Sequence, residues 1–293
     1  MLATKKSDVR VRLIEDDDIP AVADCLRRGF PYRRRSYWVR ALQRMSQRAG
    51  VGDYPRFGYM LETSGGAVGV LLVIYSRHAS AAGDDSIRCN LSSWCVDKDF
   101  RFYAPLLHAV AVSAKQVTYV NISPAVHTRQ GIEALRFRRF CDGQIVFAPA
   151  LSAPRRNARV IDYAADSAES ALLPERERVI LADHAALGCR ALICVEDGVA
   201  HPFVLQRRTA FHRLLPCQQL IYCRSMDEFV RFAGSIGRRL LLRAWPIFIA
   251  DANGPMPGLV GRYFADNGPK YFKGPVQPTL GDLSYTELVI LGP

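Results

Sequence analysis

Arg101 stands in a short connection, Asp97-Lys98-Asp99-Phe100-Arg101-Phe102-Tyr103-Ala104, between a strand pattern at 87–96 and a helix pattern at 105–114. That placement suits an anion. The N–H groups and positive dipole end of a helix start attract negative charge, and a guanidinium adds a cation matched to phosphate. Within 87–96 the apolar phase slips: Ile87, Cys89 and Leu91 hold odd positions, whereas Trp94 and Val96 hold even ones. Two readings fit the slip. A β-bulge would leave backbone N–H groups for a ligand. A strand buried on both faces would carry Trp94-Cys95-Val96 as ordinary core. Two side chains could move a proton: Glu62, late in the strand pattern 57–63, and His127, just after Asn121-Ile122-Ser123-Pro124. The plain alternatives are a solvated turn arginine and a helix-start histidine with no chemical role.

The elements that must position these residues follow from periodicity. Val9, Val11 and Leu13 alternate as a strand, and Asp16-Asp17-Asp18 offers an acidic helix start before Ile19, Val22, Ala23 and Leu26. A second helix is expected over 36–47. Ser64-Gly65-Gly66 joins two strands as a hairpin. After the strand at 87–96 come a helix, a strand over 117–122, a short helix over 127–135 and a hairpin around Asp142-Gly143. Ser152-Ala153-Pro154-Arg155-Arg156-Asn157 reads as a linker. The order then restarts: a strand over 159–163, a helix over 174–187, a hairpin at Asp197-Gly198, a strand over 220–223, a helix over 227–237 and strands over 239–244 and 285–291. Such mixed connections predict an α/β (α+β) chain of two similar halves, 1–151 and 152–293, each a mainly antiparallel sheet flanked by helices.

The net charge is +11 over 293 residues, which favours an anionic partner. No nucleic-acid recognition motif accompanies the charge, so nucleic acid is not expected. The stretch 263–273 mixes Tyr263, Phe264, Tyr271 and Phe272 with Lys270 and Lys273. It reads either as an aromatic–basic platform or as a closing hairpin with aromatics inward and lysines in water. The eight cysteines contain no Cys-x-x-Cys pair, and the six histidines do not gather, so reduced core thiols and no metal are expected. The longest apolar run, near 67–75, is far short of the roughly 20 residues that span a bilayer. The charged start, Met1-Leu2-Ala3-Thr4-Lys5-Lys6, lacks an apolar signal core, and a soluble cytoplasmic protein is expected.

Over 9–149 the chain resembles the GCN5-related N-acetyltransferase (GNAT) superfamily. In that family a bulged strand exposes amides to the pantetheine arm of acyl-CoA and ends in an apolar residue, matched by Val96. A turn Arg/Gln-x-x-Gly-x-Gly/Ala then wraps the pyrophosphate. The run here is Arg101-Phe102-Tyr103-Ala104-Pro105-Leu106, with Ala104 and Leu106 in place of the small residues. Asn121 matches an asparagine of the family's next strand. In Ile132-Glu133-Ala134-Leu135-Arg136-Phe137, Ile132 replaces the tyrosine that protonates the leaving thiolate in many members. Nothing in the spacing selects Tyr103 or Tyr119 as a substitute acid.

The resemblance implies two tandem GNAT-like domains, the second without a phosphate loop, since Arg224-Ser225-Met226-Asp227 leads straight into its helix. It implies acetyl-CoA or another acyl-CoA as donor, held by Trp94, Cys95, Val96, Arg101, Phe102, Tyr103, Ala104 and Asn121. The acceptor would be an amine of a small molecule or a protein, deprotonated by Glu62 or His127. The other class of function is a GNAT-like protein that binds a ligand or partner without turnover, which the altered loop and Ile132 favour.

Overall fold

The acidic run and the apolar spacing after it do what they predict. Asp16–Asp18 form a 3-10 turn with a capping box between Glu15 and Asp18, and helix α1 (Ile19–Gly29) follows, burying Val22, Ala23, Cys25 and Leu26. Helix α2 (Arg35–Ser46) buries Trp38, Ala41, Leu42 and Met45 at helical spacing. The computed structural model describes residues 9–79, 85–210, 215–241 and 246–292.

These residues fall into two units. The first comprises residues up to Ile122 together with Phe272–Gln277 and Tyr285–Gly292. Its sheet orders β1 (Arg10–Leu13), β2 (Gly58–Thr63), β3 (Gly66–Ala79), β4 (Asp85–Val96) and β5 (Val117–Asn121). Neighbours are antiparallel except β4 and β5, which run parallel. A parallel pair needs a crossover, and α3 (Ala104–Ala111) supplies it.

The second unit comprises Ser123–Tyr271 and Pro278–Ser284. It holds α4 (Arg129–Ala134), β6 (Arg138–Phe147), β7 (Arg159–Asp162), α5 (Ala168–Ala171), α6 (Glu175–Ala186), β8 (Arg190–Glu196), β9 (Val199–Ala210), β10 (Leu215–Tyr222), α7 (Met226–Leu241), β11 (Ile247–Ala252) and most of β12 (Gly261–Lys273). Strands β7 to β10 are antiparallel neighbours in sequence order, and β10 and β11 are parallel. The pairing pattern of the first unit therefore recurs. Its core sets Phe229, Phe232, Ala233, Ile236 and Leu240 of α7 against Phe203, Leu205, Leu220 and Phe248. Each Phe, Leu or Ile among them, fully buried, contributes about 1.5–3 kcal/mol.

In place of one cut between 151 and 152, the chain passes to the second unit after Ile122, because β6 pairs with β11 there. Asp142-Gly143 make no hairpin. They lie inside the continuous strand β6, where a Cβ on Gly143 would stand 2.3 Å from the Phe264 carbonyl oxygen. The glycine serves close approach, not a turn. Residues 239–241 continue α7, since Leu240 shares the buried face of that helix, and the strand lies at β11. The expected strand at 285–291 contains one helical turn, α8 (Glu287–Ile290). Lys270 does not face water: it is 2% exposed and reaches Asp251 at 2.7 Å. All eight cysteines are free thiols, seven of them buried and Cys95 half-buried. Among the described residues no helix is long and apolar enough to cross a membrane.

Candidate functional site

The β3–β4 register steps from Leu71↔Trp94 to Leu72↔Ser92, so Ser93 is an extra residue in β4. The phase slip is thus a bulge. It sends Trp94 to the α3 side, with its ring 5.5 Å from His108, and Cys95 to the α1 side, against Cys25 and Gly29. Pairing with β5 stops at Asn90↔Val120. Beyond that pair the β5-facing edge of β4 has no strand partner among the described residues. A bulge and a parting pair of parallel strands together open a slot between β4 and β5 at this end.

The end of the chain is fastened at this slot. The amide of Asn90 donates to the carbonyls of Leu91 and Val120 at 3.0 and 3.3 Å, and its Oδ1 accepts the Glu287 N–H at 2.6 Å. The Ser92 hydroxyl donates to Glu287 Oε2, and the Ser92 and Ser93 hydroxyls lie 3.3 Å apart. Val289, Ile290 and Leu291 are buried, and Arg44 of α2 donates to the Leu291 carbonyl at 2.8 Å. A carboxylate therefore stands next to the bulge. Sequence reasoning missed Glu287 because nothing local marks it; its neighbours on β4 lie nearly two hundred residues earlier.

The expected phosphate turn is a 3-10 helix, Lys98–Tyr103, that runs directly into α3. Its amides are partly used: Phe100 N–H donates to Asp97 O at 2.9 Å and Ala104 N–H donates to Arg101 O. Pro105 has no N–H. A wrapping loop needs residues free of a Cβ, and the side chains at Ala104 and Leu106 favour helical backbone instead. Arg101 is exposed, Tyr103 and Ala104 are half-buried, and Phe102 is 89% exposed. Asp97, just after β4, pairs with Arg28 of α1 at 2.7 Å.

The structure brings Trp94, Cys95 and Val96 together with residues 101–104 at one end of β4. Asn121, half-buried, ends β5. Glu62 is placed elsewhere, on β2, where Arg10 and Arg12 donate to it at 2.8 and 2.9 Å. Arg12 above all holds its carboxyl down at about 2, so it has little appetite for an amine proton. His127 is exposed in the 3-10 turn Val126–Thr128, in the second unit, as is the buried Ile132 of α4. Tyr119 accepts the Ala114 N–H at 3.1 Å, and burial pushes its phenol up to about 12. His108 was not singled out in the sequence. Burial, and then Lys273, hold its imidazole down at about 4, so it faces Trp94 uncharged at neutral pH. Among the described residues no group of three His, Cys, Asp or Glu is placed to hold a metal.

The structure superposes on a probable N-acyltransferase from Enterococcus faecalis V583 with a TM-score of 0.57 and 9% identity, covering 94% of this chain and 74% of that one. A putative acetyltransferase from Pyrococcus horikoshii matches at 0.57 and 13% identity, over 95% of this chain and 94% of that one. A GCN5-related N-acetyltransferase from Kribbella flavida matches at 0.56 and 12% identity, over 90% and 70%. The chain has the GNAT fold. No family model and no curated protein matches the sequence.

The second unit repeats the bulge and the parting strands and then fills the opening. Strand β10 carries its own bulge at Ile221, between Leu220↔Leu205 and Tyr222↔Val204, and parts from β11 after Gln219↔Ile249. Into this opening comes the segment 281–283. Leu283 N–H donates to Ile221 O at 2.7 Å, Cys223 N–H donates to Gly281 O at 2.9 Å, and Tyr222 bridges to Asp282. Gly281 has φ +84, and a Cβ there would lie 2.5 Å from Cys223 Sγ. The main-chain groups that a bulge would offer to a ligand are spent on the chain itself. Arg224 is likewise engaged, by both Glu177 oxygens at 2.6 Å.

Proposed function

We propose that the first unit transfers an acyl group from a pantetheine thioester, acetyl-CoA or another acyl-CoA, to an amine of a small molecule or protein. The observation that carries this is the Ser93 bulge, beside a parted β4–β5 pair, with the Glu287 carboxylate on Ser92. The edge of Trp94, Cys95 and Val96 receives the arm, as strand edges receive extended ligands. Arg101 is an exposed cation for the donor's phosphate, and Asn121 closes the β5 side. Glu62 receives no role.

The amine must attack with a free lone pair. Its nitrogen bonds to the thioester carbon, and Glu287 takes the proton, directly or through the Ser92 hydroxyl. The tetrahedral oxyanion rests on β4 amides at the bulge. Collapse breaks the C–S bond, and the thiolate takes a proton from water. Eight free thiols accord with a reducing, cytoplasmic location.

One observation favours the alternative, a GNAT-like binder without turnover: a 3-10 helix replaces the phosphate loop. Release of free thiol from acetyl-CoA with a panel of amines tests both. Amine-dependent release supports transfer. Thioester binding with no release under any amine gives the reading to the binder.

A further inference from the structure

We propose that the acyl group reaches this slot on the phosphopantetheine arm of a small acidic carrier protein rather than on free coenzyme A. The inference rests on the reading of the first unit as a thioester site and names the donor that fits its mouth.

Free coenzyme A presents a pyrophosphate and a ribose phosphate, which need several amides and cations in a close cradle. The mouth at the end of β4 lacks that cradle. Its 3-10 helix has turned Phe100 and Ala104 N–H inward, Pro105 has none, and Asp97 already holds Arg28. What the mouth presents instead is apolar surface among cations. Phe102 is 89% exposed and Leu106, one turn further on, is 49% exposed. Lys98 and Arg101 are exposed beside them. The end of α1 is fixed to the same end of β4, through Gly29 on Cys95 and Arg28 on Asp97.

Protruding Phe102 and Leu106, on one segment with Lys98 and Arg101, complement an acidic helix with an apolar ridge. A carrier protein offers that surface, with its thioester on an arm whose single phosphate needs one cation, such as Arg101. The net charge of +11 steers an acidic protein towards this chain and weakens the association as salt rises.

Calorimetry with four probes decides: acetyl-pantetheine, acetyl-CoA, a bacterial acyl carrier protein loaded with acetyl-phosphopantetheine, and the same carrier without its arm. The loaded carrier is expected to bind at least tenfold more tightly than acetyl-pantetheine, the armless carrier weakly but measurably, and acetyl-CoA within about threefold of acetyl-pantetheine. Leu106→Asp and Lys98→Glu, both on exposed positions and checked by melting curves, are expected to weaken the loaded carrier at least tenfold and leave acetyl-pantetheine within twofold. Acetyl-CoA binding as tightly as the loaded carrier overturns the inference and leaves the proposed function standing. So does a carrier no tighter than acetyl-pantetheine, or one indifferent to both substitutions. Failure of acetyl-pantetheine, acetyl-CoA and the loaded carrier alike removes the thioester slot, and with it both readings.

Discussion

Ser92 and Glu287 meet across 195 residues of chain, the serine hydroxyl donating to the glutamate carboxylate. The same glutamate's N–H is held by Asn90 at 2.6 Å. Backbone and side chain are thus fixed at two points on β4, one of them next to the bulge residue. A base placed this way does not have to be ordered when substrate arrives.

Glu287→Gln keeps the backbone bond to Asn90 and most of the side-chain volume but removes the proton acceptor. Its kcat is expected to fall by about 10²–10³-fold with KM little changed, since a positioned general base contributes on that order. The melting temperature should stay within a few degrees. A kcat within threefold of the parent would remove Glu287 from the chemistry.

The tail that carries Glu287 is held by its apolar residues. Ile290 is fully buried, so Ile290→Ala is expected to cost about 2–4 kcal/mol in urea unfolding and to lower kcat as Glu287 loosens. An unchanged unfolding midpoint would mean that the tail is not docked in solution.

How far the sequence spoke depends on the range of the interactions. The β4 bulge was visible because a phase slip is written in one strand, from Leu91 to Trp94. The hairpin at Asp197-Gly198 was visible because both residues need positive φ, 51° and 79° here. Gly143 misled because the same residue serves turns and close approaches, and its neighbour Phe264 is far along the chain. Glu62 misled because its arginine partners, Arg10 and Arg12, are set by β1–β2 pairing, which periodicity does not reveal. The tail alternates like a strand, yet Thr286 begins a helical turn because Val289, Ile290 and Leu291 find a core together.

His108 predicts an acid sensitivity. Its imidazole sits at about 4 in the fold, by burial first and Lys273 second, against an ordinary value of 6.5. Between those values the unfolded chain binds a proton that the folded chain refuses. Stability is therefore full above pH 6.5 and is lost as pH falls from there to about 4, by up to about 3 kcal/mol. His108→Gln should flatten that part of the stability curve. An equally steep acid limb in the variant would assign the sensitivity elsewhere.

The filled slot of the second unit makes the last prediction, one that separates the two halves of the molecule. A ligand that binds only the folded state adds about 2.7 kcal/mol at a hundredfold excess over its Kd, and the amides it touches exchange more slowly. Acetyl-pantetheine should therefore protect amides between Trp94 and Leu107 from hydrogen exchange. Residues 215–237 should show no change, because Ile221 O and Cys223 N are already bonded to Leu283 and Gly281. The segment that closes this slot depends on Gly281. Gly281→Ala combines a left-handed backbone, φ +84, with a Cβ 2.5 Å from Cys223 Sγ. It is expected to cost about 2 kcal/mol or more. In that variant the amides of Cys223 and Leu283 should exchange faster, while the protection between Trp94 and Leu107 persists. Ligand protection appearing in 215–237 of the parent protein, with none between Trp94 and Leu107, would move the thioester site to the second unit.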